Sequence, residues 1–168
     1  MKRDFDFGNV NSVDDLAGEN RPEPGYYHAQ ISAVEEDQER DDLIHIEFTV
    51  LAPNDARGKR QKERFYLTEK AMPRFQRMLL STGFAKPGTR LADPDFQKLV
   101  GRDCIVEVMS EQYEKDGETR TSTKLSYRAT WPLGHPDVKD IPRGEPVGNK
   151  SSTVTAPDNS EADEWSDF

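Results

Sequence analysis

The sequence has 168 residues, of which 33% are hydrophobic and 33% charged, and its formal net charge is −9. Folded domains average roughly 45–50% apolar and about 25% charged residues, so the composition argues against one compact domain over the full length. No apolar stretch approaches the roughly 18 residues that a membrane span requires, and the first residues lack the apolar segment of a secretory signal. A single cysteine excludes an internal disulfide. We therefore expect a cytoplasmic protein with no membrane contact, no metal and no cofactor.

The net charge is distributed unevenly along the chain. Residues 1–20 carry a local charge of −3 and residues 145–168 a local charge of −5. Residues 57–77 contain eight basic residues against two acidic ones, a local charge of +6. Local potential guides association within a Debye length of roughly 8 Å. The overall acidity therefore does not exclude a nucleic-acid partner, although a basic run can also be an ordinary solvated face.

Five segments alternate apolar and polar residues in the pattern that predicts β-strands. They follow residues 1–21, which we interpret as an N-terminal arm. The predicted strands are residues 25–34, 43–51, 59–67, 102–111 and 119–131. The last two are joined by a predicted hairpin loop at residues 114–118, which is built on an Asp-Gly pair.

Between the third and fourth strands the apolar spacing becomes helical. Ala71, Phe75 and Met78 fall on one helical face. Pro73 cannot lie deep inside a helix, so the predicted start is near residues 70–72. Gly83 supplies a stop signal.

The element order β-β-β-α-β-β predicts a mainly β domain over residues 22–132. A five-stranded Greek-key barrel with this order is the OB-fold, and we predict an OB-fold-like barrel. An open sheet with one packed helix would give the same order. Residues 133–168 contain few apolar residues and are predicted to form a disordered acidic tail.

The third predicted strand carries both kinds of side chain that single-strand binding uses. Cations contact phosphates, and flat rings stack on unpaired bases. Lys62, Arg64 and Tyr66 share one strand face, while Phe65 points to the core; Tyr113 is predicted to be an exposed ring near the hairpin. The full set of candidate nucleic-acid-binding residues is Arg57, Lys59, Arg60, Lys62, Arg64, Tyr66, Arg74, Arg77, Tyr113, Lys124 and Arg128.

Several of these candidates have a structural alternative. Arg74 and Arg77 lie off the apolar stripe of the helix, which favours a solvated helix face for them. Lys124 and Arg128 can be ordinary surface charges, and Tyr66 can belong to the core.

The remaining aromatic and titratable residues are predicted to be structural. Tyr127 and Trp131 alternate with the polar residues of the last strand and share a face with Leu125, so we place them in the core. His28 and His45 fall on polar strand faces and are predicted to lie at the surface. No Ser-His-Asp, Cys-His, phosphate-loop or dinucleotide motif is present, so we do not expect an enzyme.

The last eight residues combine acidic and aromatic side chains. The acids would attract a basic surface of a partner at long range, and the Phe168 ring with its terminal carboxylate could enter a pocket lined with a cation. The candidate partner-binding residues are Asp163, Glu164, Trp165, Asp167 and Phe168.

A family resemblance rests on these short motifs. They are Pro24-Gly25-Tyr26-Tyr27, the strand at residues 43–51, Gly58-Lys59 leading into Glu63-Arg64-Phe65-Tyr66-Leu67, the helix end Leu79-Leu80-Ser81-Thr82-Gly83-Phe84, Leu99-Val100-Gly101-Arg102, and the terminal Trp165-Ser166-Asp167-Phe168. In these features the chain resembles phage-type single-stranded DNA-binding proteins, and Pro73 within the helix departs from their pattern. The resemblance implies an OB-fold and sequence-independent protection of single-stranded DNA during replication, recombination and repair. It also implies an acidic tail that recruits replication or recombination enzymes in the bacterial host cytoplasm, and it leaves a homo-oligomer open.

The acidic composition also fits a protein that mimics DNA and occupies the nucleic-acid site of another protein. The basic residues between 57 and 77 discriminate between the two classes, because a DNA mimic has no use for a cationic patch.

Overall fold

The computed structural model describes Asp4 and residues 20–147. In this part of the chain, five strands and one α-helix follow the predicted order, which confirms a mainly β fold. The strands are β1 (Gly25–Glu36), β2 (Leu43–Ala52), β3 (Arg60–Tyr66), β4 (Asp103–Lys115) and β5 (Glu118–Trp131), and helix α1 (Met72–Ser81) lies between β3 and β4.

The five strands form one antiparallel sheet in the order β3-β2-β1-β4-β5. Among residues 20–147 no backbone ladder joins β3 to β5, so the sheet is not closed into the predicted barrel. The two edge strands nevertheless lie against each other. We call this line of contact between β3 and β5 the seam.

The core lies between the concave face of the sheet and α1. Alternate residues of β2 (Ile44, Ile46, Phe48 and Val50) are buried there, which is the burial pattern of a strand with one face on the core, and Phe75 of α1 packs against them. Pro73 lies in the first turn of α1, where its missing N–H costs no hydrogen bond. Cys104 is fully buried, and burial raises the pKa of its thiol.

The segment after β5 is packed on the sheet, which corrects the predicted start of the tail at residue 133. Val138 is buried with Ile105 and Trp131 on the convex face, and Leu133 and Ile141 pack against them. We call residues 132–147 the strap. Its few apolar residues pack on a small apolar patch of the sheet. This packing could not be predicted from the polar composition of the segment as a whole.

Two buried polar residues of β1 hold the end of the strap. The ring of His28, 3% exposed, accepts the Gly144 N–H at Nδ1 (3.0 Å) and bonds Asp103 through Nε2 (2.7 Å). The side chain of Gln30 forms two hydrogen bonds with the backbone of Val147, at 2.9 and 3.1 Å. The prediction of a surface position for His28 is therefore wrong.

Gly144 is required by the close approach of the strap to β2. A Cβ atom at this position would clash with the backbone oxygen of Leu51. Any larger residue would therefore push the strap away from the sheet.

Candidate nucleic-acid interface

The outward face of β3 carries a row of cations. Gln61 and Phe65 point inward and are buried, whereas Arg60, Lys62 and Arg64 are exposed on the convex side. This alternation confirms the predicted facing of β3. The three side chains face solvent on the outer side of the strand, where a ligand can approach them.

The neighbouring strand β2 presents a mixed surface to this row. His45 is paired with Arg64, and Glu47 with Lys62. The Glu47 carboxylate accepts a hydrogen bond from the hydroxyl of Ser32 on β1 (3.0 Å). An acid directly opposite Lys62 offsets part of its potential, so the positive surface is concentrated on β3 and toward the seam rather than on β2.

Tyr66 lies on the same face as the cations but is half-buried. The guanidinium of Arg40 lies 5.2 Å from the centre of its ring. Asp42 holds Arg40 by two hydrogen bonds, at 2.9 and 3.0 Å, and this pairing lowers the pKa of Asp42. One face of the Tyr66 ring is thus occupied by a cation. A stacked base has to use the other face or displace Arg40.

The seam is bridged by side chains in place of a backbone ladder. Thr123 of β5 donates its hydroxyl to the Gln61 amide oxygen (2.8 Å), and Gln61 donates to the Thr123 carbonyl (3.1 Å). Two residues along, the Leu125 N–H donates to the Glu63 carboxylate (3.1 Å). These contacts hold the edge of β3 against β5.

Arg74 completes the seam from the helix side. Its guanidinium bonds the Glu63 carboxylate at 2.6 Å and donates to the backbone carbonyls of Leu125, Ser126 and Tyr127 at 3.0–3.3 Å. Burial raises the pKa of Glu63, and the charge of Arg74 opposes that rise. Arg74 is therefore committed to contacts within the protein.

Arg77, one turn further along α1, is engaged in the same way. It donates to the Thr130 carbonyl at 2.7 Å, and its guanidinium lies 5.1 Å from the centre of the Trp131 ring. Arg74 and Arg77 are thus bonded within the protein and are not part of the exposed row of cations on β3. Neither side chain forms the solvated helix face that was their alternative.

The β4–β5 hairpin extends the candidate surface beyond the core. Its turn is the pair Asp116-Gly117, both at positive φ (56° and 78°), which suits a two-residue hairpin turn. Tyr113 is 42% exposed and is paired with Arg120 across the hairpin. Sequence reasoning missed Arg120, although its register with Tyr113 follows once the turn is taken as two residues long.

Lys124 lies on β5 near the seam, and its Nζ forms an ion pair with Oε1 of Glu111 at 2.8 Å. Because Thr123 and Leu125 point inward, alternation places Lys124 on the outward side, as Lys62 is on β3. The two lysines therefore flank the seam.

A large bulge interrupts β5 beyond Lys124. Val108 is paired with Leu125 but Val106 with Thr130, so residues 126–129 stand opposite the single residue between the two valines. This bulge carries Tyr127, 84% exposed, and the exposed Arg128.

The bulge corrects two predictions. Tyr127 is not in the core, because the extra residues break the alternation on which its placement depended. Trp131 is buried, but on the convex face with Ile105 rather than with Leu125.

The remaining candidates are scattered or lie outside the described residues. Arg57 donates to the Leu51 carbonyl at 3.1 Å, and Lys59 is half-buried in the loop before β3. The partner-binding candidates between residues 163 and 168 are outside the described part. Within residues 20–147, no group of three or more His, Cys, Asp or Glu side chains is placed to hold a metal ion, and no helix has the length and apolarity to cross a membrane.

No protein-family model matches the chain, and no curated protein matches it.

Proposed function

We propose that this protein binds single-stranded DNA without sequence preference, with the strand lying along β3 and crossing the seam onto the β4–β5 hairpin. The observation that carries the proposal is the exposed row Arg60, Lys62 and Arg64 on an edge strand. Rings lie at both ends of this path, the half-buried Tyr66 at one end and the exposed Tyr113 at the other. A cationic track with interspersed rings is the arrangement that sequence-tolerant single-strand binding needs.

We further propose that the sheet is a partly open OB-fold. In the order β3-β2-β1-β4-β5, the last strand returns beside β3, and the helix lies between the third and fourth strands. A partly open five-stranded Greek-key barrel that binds oligonucleotides on its strands 2–3 face and the loop between strands 4 and 5 is the description of that fold. The side-chain bridges of Gln61 and Glu63 support this assignment because they take the place of a closing ladder.

Each part of the path has a separate chemical role. The cations of β3 and Lys124 neutralise phosphates, which gives affinity without reading sequence. Tyr113 and the free face of Tyr66 accept bases by stacking, which every base permits. The protein thereby protects single-stranded DNA in phage-type replication, recombination and repair, the setting that the sequence resemblance implies.

The acidic C-terminal segment completes the proposal as the part that recruits replication or recombination enzymes. Its candidate residues, between 163 and 168, follow the strap in the chain. Any truncation that removes them has to end at Val147, because the strap is anchored through Gly144 and Val147.

A direct titration tests the proposed function. Fluorescein-labelled oligo-dT, single-stranded RNA and duplex DNA are titrated by anisotropy at two salt concentrations. We expect oligo-dT to bind more tightly than the duplex, and its affinity to fall steeply with salt because counterions are released. Equal or tighter binding of the duplex, or no binding of oligo-dT at low salt, would reject the proposal; the second result would favour the acidic DNA mimic.

A further inference from the structure

The bulge of β5 is held by hydrogen bonds from the helix and from within the bulge itself. Arg74 bonds three consecutive carbonyls, those of Leu125, Ser126 and Tyr127. Within the bulge, the Ala129 N–H donates to the hydroxyl of Ser126 at 3.2 Å. These hydrogen bonds hold the backbone of the segment in place.

This conformation has an energetic cost. Ala129 adopts a φ of 65°, a left-handed conformation that disfavours residues with a Cβ atom. Arg74 is placed in a largely buried ion pair with Glu63, and burying charges costs free energy that the pairing only partly returns. Strain of this kind concentrates at functional sites.

The side chains that this arrangement displays are Tyr127 and Arg128. Tyr127 is 84% exposed, the most exposed large hydrophobic side chain among the described residues. Because the backbone beneath the ring is already held, a ligand that stacks on the ring does not have to order the main chain.

The position of the bulge indicates which ligand it meets. Arg74 ties the bulge to Glu63, and Glu63 lies between Lys62 and Arg64 on β3. The backbone of the bulge therefore lies next to β3 at the seam, where the proposed DNA path crosses to β5.

We propose that Tyr127 and Arg128 form a second stacking site, in which the Tyr127 ring takes an unpaired nucleobase and Arg128 an adjoining phosphate. The site rests on the proposed single-strand binding. It adds a contact that the alternation of β5 does not predict, because that alternation places Tyr127 in the core. The competing outcome of the test is that the Tyr127 ring contacts a protein surface instead of a nucleobase.

The test compares Tyr127→Ala and Tyr127→Phe with the unaltered protein. Oligo-dT affinity should fall roughly 5- to 160-fold in Tyr127→Ala, the range of a lost stacking contact, and stay near the original value in Tyr127→Phe, which keeps the ring. Thermal unfolding should be unchanged in both variants, because the ring is exposed. Photocrosslinking to an oligonucleotide containing 5-iodouracil, followed by peptide mapping, should give a crosslink at Tyr127.

The outcomes separate the two proposals. If the unaltered protein does not bind oligo-dT, the proposed function fails. If it binds and Tyr127→Ala binds equally well without a Tyr127 crosslink, only the stacking site is rejected. A Tyr127→Ala variant with normal DNA affinity but altered sedimentation would assign the ring to a protein contact and reject the site as well.

Discussion

Replacing Arg74 by methionine is expected to destabilise the protein by about 3–5 kcal/mol, the range for removing one partner of a buried ion pair. The substitution leaves the Glu63 carboxylate without its cation at 2.6 Å, in surroundings that already raise the pKa of Glu63. It also frees three carbonyls of the bulge. Urea unfolding followed by circular dichroism measures the loss.

Arg128→Met is the matched control, because Arg128 is an exposed arginine on the same bulge. Its unfolding midpoint should stay close to that of the unaltered protein. The double variant Glu63→Met/Arg74→Met removes both charges and should lose less stability than the sum of the single variants, since no unpaired charge remains. Equal midpoints for Arg74→Met and Arg128→Met would show that Arg74 does not hold the seam.

The second large effect is expected from Lys62→Ala/Arg64→Ala. Both side chains are exposed on β3, so the fold should persist. If each contacts one phosphate, the slope of log affinity against log salt should become shallower by about 1.4, at roughly 0.7 per phosphate of a single strand. Anisotropy titrations with oligo-dT at several salt concentrations give this slope.

The control for this pair is Lys98→Ala/Lys139→Ala. It removes the same total charge from two exposed lysines, one in the turn before β4 and one in the strap. Its slope should stay near that of the unaltered protein. If the two double variants have the same slope, the effect comes from net charge and the path along β3 is rejected.

The alternation of apolar residues predicted most of the sheet correctly. Phe48 and Phe65 are buried, and Lys62 and Arg64 exposed, as a strict period of two requires. The helix was predicted from the spacing around Phe75. These features depend on local sequence, which a single chain displays directly.

The errors arose where distant residues decide the structure. Tyr127 is expelled from the core by a bulge that Arg74 stabilises from another element. His28 is buried because the strap returns more than a hundred residues later to bond it. No local pattern encodes contacts of this range.

The candidate site was only partly predictable for the same reason. Sequence placed the cations of β3 on one face, but it could not show that Arg74 and Arg77 are committed to backbone carbonyls. It also could not show that Arg40 covers one face of Tyr66. Helical spacing predicts on which side of the helix a residue lies. Only the packed structure shows which groups that residue contacts there.

The most direct test of the central claim is to map the binding surface by NMR, following backbone amide shifts of the ¹⁵N-labelled full-length protein as oligo-dT is added. The single-strand path predicts that the largest shifts occur in β3, from Arg60 to Tyr66, and in residues 120–128 of β5. The convex patch under the strap, around Ile105 and Val138, should change little. Shifts centred on the strap, with β3 unaffected, would contradict the account.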